Sequence, residues 1–428
     1  MKDSSVTITR ERGVILILTL WMVTVLSLLA YSLAYEMRIE ARLTKLKKDN
    51  LVAFQLAKAG VAKAICDLKN DMVIDRADKS QIFDAEGDVW KNPEDKINVS
   101  LGEGTYSVRI IDEESLININ IAHPILMTEA IKYFKGDEEE EKAQAERTAI
   151  AIYDWRDPDD SPANGSVGTE KDHYGELIAK DQGIEYTEDF DSGYKPKNDF
   201  FSSVEELLSV YGVTADLFYG FNQEERKGEI YRERSRREQR RNPHIMGGRS
   251  ETESEWEVKP PEGLRDICTV NSTGEININT AGEAVLTAVI AAARISDPDP
   301  SELARAIIKY RRDGRDSKLD NEKAFRSVGD LSQVEGLSGP LIQRMQSIQR
   351  LTVVSKNFRI ISEGHAGRAH RTIESVVART WEAFNVDAKD KDFDESVKRR
   401  VKRVDKDKED SPLLVESPTI RIVHWRER

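Results

Sequence analysis

Arg10-Glu11-Arg12-Gly13, followed by VILILTLWMVTVLSLLAYSLA over residues 14–34, governs the interpretation of everything downstream in this chain. The 21 residues after Gly13 carry no charge. At a rise of ~1.5 Å per residue that is the length a helix needs to cross ~30 Å of hydrocarbon, so 14–34 is predicted to span a membrane. Basic residues lie on both sides, Lys2, Arg10 and Arg12 before it and Arg38, Arg42, Lys45, Lys47 and Lys48 after it. That balance leaves the orientation undecided by charge. A secretory signal peptide also starts basic, but its apolar core is shorter and ends at a small-residue cleavage site, which is missing here. Instead the chain runs on without proline until Pro93. Leu43, Leu46, Asn50, Phe54, Ala57, Val61, Ile65 and Leu68 recur at three- or four-residue steps, all apolar but Asn50. The spacing predicts one helix over 14–70, its first half in lipid and its second half packed on a domain.

Alternation of apolar and polar residues around Gly102-Glu103-Gly104 predicts a hairpin of strands 96–101 and 105–111. Further strands are expected at 357–362 and 372–380, joined by a turn over 364–371, and at 419–425. A long helix followed by an antiparallel sheet is an α+β, pilin-like layout. Between the two sheet portions the pattern is mostly helical. Thr280-Ala-Gly-Glu283 and Ser203-Val-Glu-Glu206 have capping-box spacing, and 301–312 and 339–350 supply two more helices. The expected organisation is a leader over 1–13, the helix over 14–70, a first sheet part over 71–120, an inserted helical domain over 121–350 and a second sheet part over 351–428. Ile117-Asn-Ile-Asn-Ile-Ala122 and Ile276-Asn-Ile-Asn-Thr-Ala281 are self-similar and mark either two related subdomains or asparagines that cap backbone amides at helix starts. The acidic run 138–141, the basic run 232–241 and the mixed-charge segment 387–410 read as solvated faces or loops.

A chain of 428 residues has room for two or three compact domains and needs neither a disulfide nor a metal to fold. Its formal charge of −13 argues against a general nucleic-acid binder, which needs a basic face to neutralise phosphates. Cys66 and Cys268 match no redox or thiolate-metal spacing; two buried free thiols are the favoured reading, with one disulfide left open. Six histidines, at 123, 173, 244, 365, 370 and 424, include no pair at the i, i+4 spacing of a helical zinc site. No Gly-x-Ser-x-Gly elbow or phosphate-binding glycine loop occurs. The chain is expected to be a structural protein with no small-molecule substrate.

Gly13 before the apolar helix resembles the cleavage point of type IV prepilins. The resemblance implies that a prepilin peptidase cuts between Gly13 and Val14 and methylates the new amine. Most prepilins have glutamate at the fifth mature position, where this chain has Leu18. A carboxylate in lipid persists where it has a partner, so its loss suits a subunit with no neighbour above it. Together with LININ at 116–120, IYDWRDPDDSPANG at 152–165, GEININTA at 274–281, FRSVGDL at 325–331 and IVHWRE at 422–427, these features resemble the K-type minor pseudopilins of type II secretion systems. That resemblance implies a tip subunit that joins I- and J-type minor pseudopilins, starts assembly of the pseudopilus and supports export of folded proteins. It implies an inner-membrane, single-pass protein with its globular domain in the periplasm.

Asp154, Asp157, Asp159 and Asp160, with Glu170 and Asp172 ten residues on, concentrate carboxylates as a calcium ion requires, although the spacing is not that of an EF-hand. The resemblance adds that K-type pseudopilins hold calcium in the inserted domain. The alternative function is a membrane-anchored DNA-binding protein: Glu335-Gly336-Leu337-Ser338-Gly339 resembles the hairpin of helix-hairpin-helix modules, which grip phosphates through backbone amides. The acid in that hairpin and the acidic chain weigh against it, and no nucleic acid is expected as a partner.

Overall fold

The computed structural model describes residues 8–77, 82–91, 96–136, 138–163, 165, 169–187, 192–220, 262–293, 298–312, 324–386, 401–403 and 413–427. Residues 1–7 of the leader, the basic run 232–241 and, apart from 401–403, the segment 387–410 lie outside them.

Helix α1 runs from Ile8 to Ala77, longer at both ends than the periodicity predicts. Its apolar first part, from Ile15 through Tyr35, stands clear of the rest of the chain with large side chains exposed. This is the one helix among the described residues long and apolar enough to cross a membrane. Packing begins only at Ala53, and the buried stripe is Ala53, Leu56, Ala57, Val61, Ala64, Leu68 and Met72. Leu43 and Leu46, predicted to belong to it, are exposed, and Phe54 and Ile65 lie at its rim. The helix has left the sheet by that point, so apolar spacing alone overstates the packed length.

The sheet under α1 has six strands, β1 (Val99–Leu101), β2 (Gly104–Asp112), β7 (Asn357–Ala366), β8 (Ala369–Val386), β10 (Leu413–Glu427) and β9 (Val401–Arg403), adjacent in that order. All its pairings are antiparallel. The turn between β7 and β8 is far tighter than predicted: pairing continues to Ala366↔Ala369, leaving Gly367-Arg368 as a two-residue turn. Gly367, at φ 58°, supplies the left-handed first position that such a turn requires. Alternate residues of β7, Phe358 and Ile360 among them, face α1 together with Val108, Ile110, Ile373 and Val377. Each fully buried aliphatic or aromatic side chain there contributes ~1.5–3 kcal/mol relative to exposure. Close approach is bought by small residues: a Cβ on Gly60 would collide with Ser362 Oγ, and one on Gly364 with the Ala53 carbonyl. The fold is therefore α+β, with a long helix on an antiparallel sheet interrupted between β2 and β7 by a helical insert.

The insert repeats one motif twice around a single core. In the first copy β3 (Ile117–Asn118) pairs in parallel with β4 (Cys268–Thr269); in the second β5 (Ile276–Asn277) pairs in parallel with β6 (Leu351–Thr352). Helices α2 (Pro124–Lys135), α3 (Glu139–Arg156), α4 (Glu170–Asp181), α5 (Ala215–Tyr219) and α6 (Leu264–Ile267) belong to the first copy. Helices α7 (Glu283–Ala292), α8 (Pro300–Arg312) and α9 (Gly339–Ile348) belong to the second. The asparagines do both things expected of them. Asn118 Oδ1 and Asn277 Oδ1 each accept from the amide two residues on, at 2.9 Å, which caps the turn locally. Asn120 clasps both backbone groups of Phe201, at 2.7 and 3.0 Å, and Asn279 does the same to Phe325, at 2.9 and 2.8 Å. Arg156 donates to the carbonyls of Ile119 and Ala122, and Arg311 to those of Ile278 and Ala281. Each phenylalanine leads into a 3-10 turn, 204–209 or 328–333, and then to a left-handed glycine, Gly212 or Gly336.

Two cap predictions fail. Ser203 makes no side-chain cap and starts a 3-10 turn rather than an α-helix. Thr280 turns away from α7, whose N-cap is Gly282, and donates its hydroxyl to Asp112. The matching capping box appears instead at Ser327 and Asp330. The acidic run survives as the exposed first turn of α3, where the helix dipole favours negative charge.

The two cores are joined by a buried polar seam. Asp112 accepts from Ser355 Oγ at 2.6 Å, Glu113 pairs with Arg359 at 2.5 Å, and Glu114 accepts from the amides of Lys356 and Asn357 at 3.1 and 2.9 Å. Arg379 bridges Asp71 of α1 and Asp84. Asp71, Asp84 and Asp88 cluster closely enough to hold a cation, but this guanidinium already neutralises two of them.

Candidate functional site

The end of α3 and the start of α4 bring three carboxylates of the acidic segment together in a buried acidic pocket. Asp154 sits in the last turn of α3, Asp157 is its C-cap, and Glu170 opens α4 behind the N-cap Thr169. One carboxylate oxygen from each of Asp154, Asp157 and Glu170 lies within 4.8 Å of the others. Asp154 is held by Tyr174 Oη, which donates at 2.6 Å, and by the amide of Ala163 at 3.1 Å. Glu170 is fully buried, and neither of its oxygens, nor Asp157 Oδ1, receives a hydrogen bond from a donor group. Trp155, Tyr174, Tyr194 and Phe201 form an aromatic wall around it, with Tyr174 and Tyr194 rings 5.2 Å apart and Trp155 and Phe201 stacked at 6.3 Å.

Three carboxylates in a desolvated space resist ionising together. Burial first, and then the charges of Asp154, Asp157 and Asp160, push Glu170 up to about 8. Burial and the charges of Asp159 and Asp154 push Asp157 up to about 6. Burial also raises Asp154, against the hydrogen bonds that stabilise its charge. Without a cation, the carboxyls of Asp157 and Glu170 can hydrogen-bond to each other only when one of them keeps a proton.

Of the six residues the sequence singled out, three converge and three support the loop. Asp159 Oδ1 accepts from the Ser161 amide at 2.8 Å, forming a local turn, and its carbonyl accepts from Asn198 Nδ2 at 2.5 Å. The Asp160 carbonyl accepts from the Glu170 amide at 3.1 Å, which fixes the start of α4 over the pocket. Asp172 is diverted to helix capping, accepting from Thr169 Oγ1 at 2.8 Å. Asn198 was not anticipated: at φ 52° it aims a buried Oδ1 that meets no donor, from a segment distant in sequence. Only the rare backbone conformation, which asparagine tolerates, could have marked it.

Elsewhere, Gly13 and Val14 lie within α1, and Leu18 is exposed on its apolar part. Cys66 and Cys268 are both free, but Cys66 is exposed rather than buried, on the outer side of α1. Burial pushes the Cys268 thiol up to about 12, which makes it inert. In the hairpin 335–339, Leu337 is buried in the insert core while Glu335 faces solvent, presenting an acid where a phosphate would approach.

With helix, sheet, insert and pocket in place, the chain can be set beside known structures. It is similar to a chain of the GspK-GspI-GspJ complex from the type 2 secretion system of enterotoxigenic Escherichia coli, with a TM-score of 0.50 and 12% identity, over 90% of this chain and 99% of that one. It has that chain's fold. No protein-family model and no curated protein sequence matches. At this identity the likeness lies in the arrangement of the elements, which is what the resemblance of the short motifs had implied.

Proposed function

We propose that this protein is a minor pseudopilin of the K type, anchored in the inner membrane by residues 14–34 with its globular part in the periplasm. The observation that carries the reading is the fold shared with one chain of the GspK-GspI-GspJ complex over nearly the full length of both chains. A bare apolar helix emerging from a sheet with a bulky insert suits a subunit at the end of a filament, since the insert would obstruct packing on all sides. In this role it joins I- and J-type partners, starts pseudopilus assembly and supports export of folded proteins, acting as a structural component and not an enzyme. The peptidase cut falls between Gly13 and Val14, and Leu18 marks the tip position. Calcium fits the pocket: Asp154, Asp157 and Glu170 supply oxygens without competing donors on Glu170, and the remaining positions of a six- to eight-oxygen shell are left to water.

Mass spectrometry of the mature N-terminus tests the first step; a methylated Val14 is expected, and an intact Met1 or cleavage beyond Ala34 would remove the proposal. Co-purification with two smaller prepilin-like proteins tests the second, and salt-sensitive DNA binding in its place would favour the DNA-binding alternative.

A further inference from the structure

The tip of the β7–β8 hairpin brings a second set of metal-ligating side chains together, on a different element from the acidic pocket. The sequence there reads His365-Ala-Gly-Arg-Ala-His370, and the two-residue turn at Gly367-Arg368 makes His365 and His370 direct cross-strand partners. Directly opposed residues project to the same side of a sheet, here the side away from α1. The two imidazole centroids are 4.7 Å apart. Glu363, two residues before His365 and so on the same side, places Oε2 at 3.8 Å from His365 Nε2 and 3.7 Å from His370 Nε2. Single ligand atoms of the three residues fall within 4.8 Å of one another.

We propose that Glu363, His365 and His370 form a surface site for a divalent transition metal, with zinc as its ion. Zinc bound to imidazole nitrogen and carboxylate oxygen at ~2.0–2.2 Å in a tetrahedron requires ligand atoms ~3.4 Å apart. The two histidine–glutamate separations exceed that by only a few tenths of an ångström, within reach of a small rotation of the two histidines, which are about half exposed. Two imidazoles and one carboxylate are borderline donors that suit zinc over calcium, whose shell is all oxygen. Three ligands on a solvent-facing strand pair leave the fourth position open to water or to a group from another protein. The antiparallel ladder continues on both sides of the pair, through Gly364↔Arg371 and Ala366↔Ala369, so the cross-strand pair is held before the ion arrives. Thr372 Oγ1, 3.4 Å from His370 Nε2, stands beside the site on the same face.

The site is independent of the acidic pocket and of the secretion role, and the experiment keeps them apart. The full chain in detergent is titrated with cobalt(II), read by its visible d–d bands, and the ion is then displaced with zinc chloride. One cobalt per chain with tetrahedral bands is expected, displaced stoichiometrically by zinc. The H365A and H370A variants each weaken binding at least tenfold, E363Q weakens it less, and D157N leaves it unchanged. All three altered hairpin residues face away from the α1 core, and retained near-ultraviolet circular dichroism checks that the variants fold. Undiminished binding in the H365A/H370A double variant overturns the proposal, as does loss of binding in D157N alone.

Discussion

The two copies of the repeated motif use the same asparagine clasp, the same arginine and the same left-handed glycine, yet only the first carries an excursion between its arginine and its phenylalanine. In that copy, the stretch between Arg156 and Phe201 contains Asp157, α4 and the wall residues Tyr174 and Tyr194. In the second, Arg311 and Phe325 are separated only by the short stretch 312–324. The second copy is the more tightly buried: Arg311 and Asn279 are 2% and 1% exposed, whereas Arg156 and Asn120 are half-buried. The cluster of buried carboxylates therefore sits in the copy whose framework is more open to solvent.

Truncating the two arginines puts the largest strain on this comparison. R311A leaves two buried carbonyls without their donor and takes one of three cations from Glu86, which keeps Lys91 and Arg312, and is expected to cost ~3–5 kcal/mol. R156A removes two backbone contacts at a wetter position and should cost ~1–3 kcal/mol. Urea unfolding of the full chain in detergent measures both; equal losses would mean that the difference in burial between the copies carries no difference in stability.

Calcium should matter only to the first copy. Folded-state values of about 6 for Asp157 and about 8 for Glu170 lie above the ordinary 3.8 and 4.5. In chelator the folded chain therefore keeps protons that the unfolded chain releases. The contribution of these two groups to stability is greatest below about pH 4 and is lost as the pH rises through 6 towards 8. Calcium at a hundredfold excess over its Kd would return ~2.7 kcal/mol at pH 8. Asp112 in the seam, raised by burial and by Glu114 to about 7, adds a decline in the same window that calcium cannot reverse. Thermal melts at pH 5 and pH 8, with calcium and with chelator, separate the two contributions. A D157N/E170Q variant should abolish the calcium response and retain the Asp112 slope.

Smallest in effect are the paired glycines. Gly212 and Gly336, at φ 83° and 90°, are expected to lose ~1–2 kcal/mol each on substitution by alanine, in part because a Cβ would press on Thr148 or Leu303. Similar losses in G212A and G336A sharpen the equivalence of the two hairpins, and a loss confined to one would undo it.

Much of the architecture was visible in local pattern because it rests on local chemistry. An uncharged run of 21 residues is long and apolar enough as a helix to cross a membrane, and alternation around Gly102 and Gly104 sets a hairpin with neighbours only a few residues apart. The paired ININ segments announced a duplication, since an asparagine capping its own turn leaves a short sequence mark. Three of six proposed acidic residues meet; which three depended on where α3 ends and α4 begins, and Asp172 was lost to capping because a serine or threonine three residues earlier competes for it. Helix spacing concealed the histidine pair, because its register is that of a two-residue hairpin.

What the sequence alone determined is the set of elements whose forces act within a turn or two: the apolar helix, the hairpins, the repeat and the acidic loop. What only the tertiary structure decided is how far α1 stays on the sheet, which carboxylates lose their water, and which side chains face one another across strands. Those outcomes depend on desolvation and on contacts between residues such as Asp84 and Arg379, or Asn198 and Asp159, that the chain brings together only when it has closed.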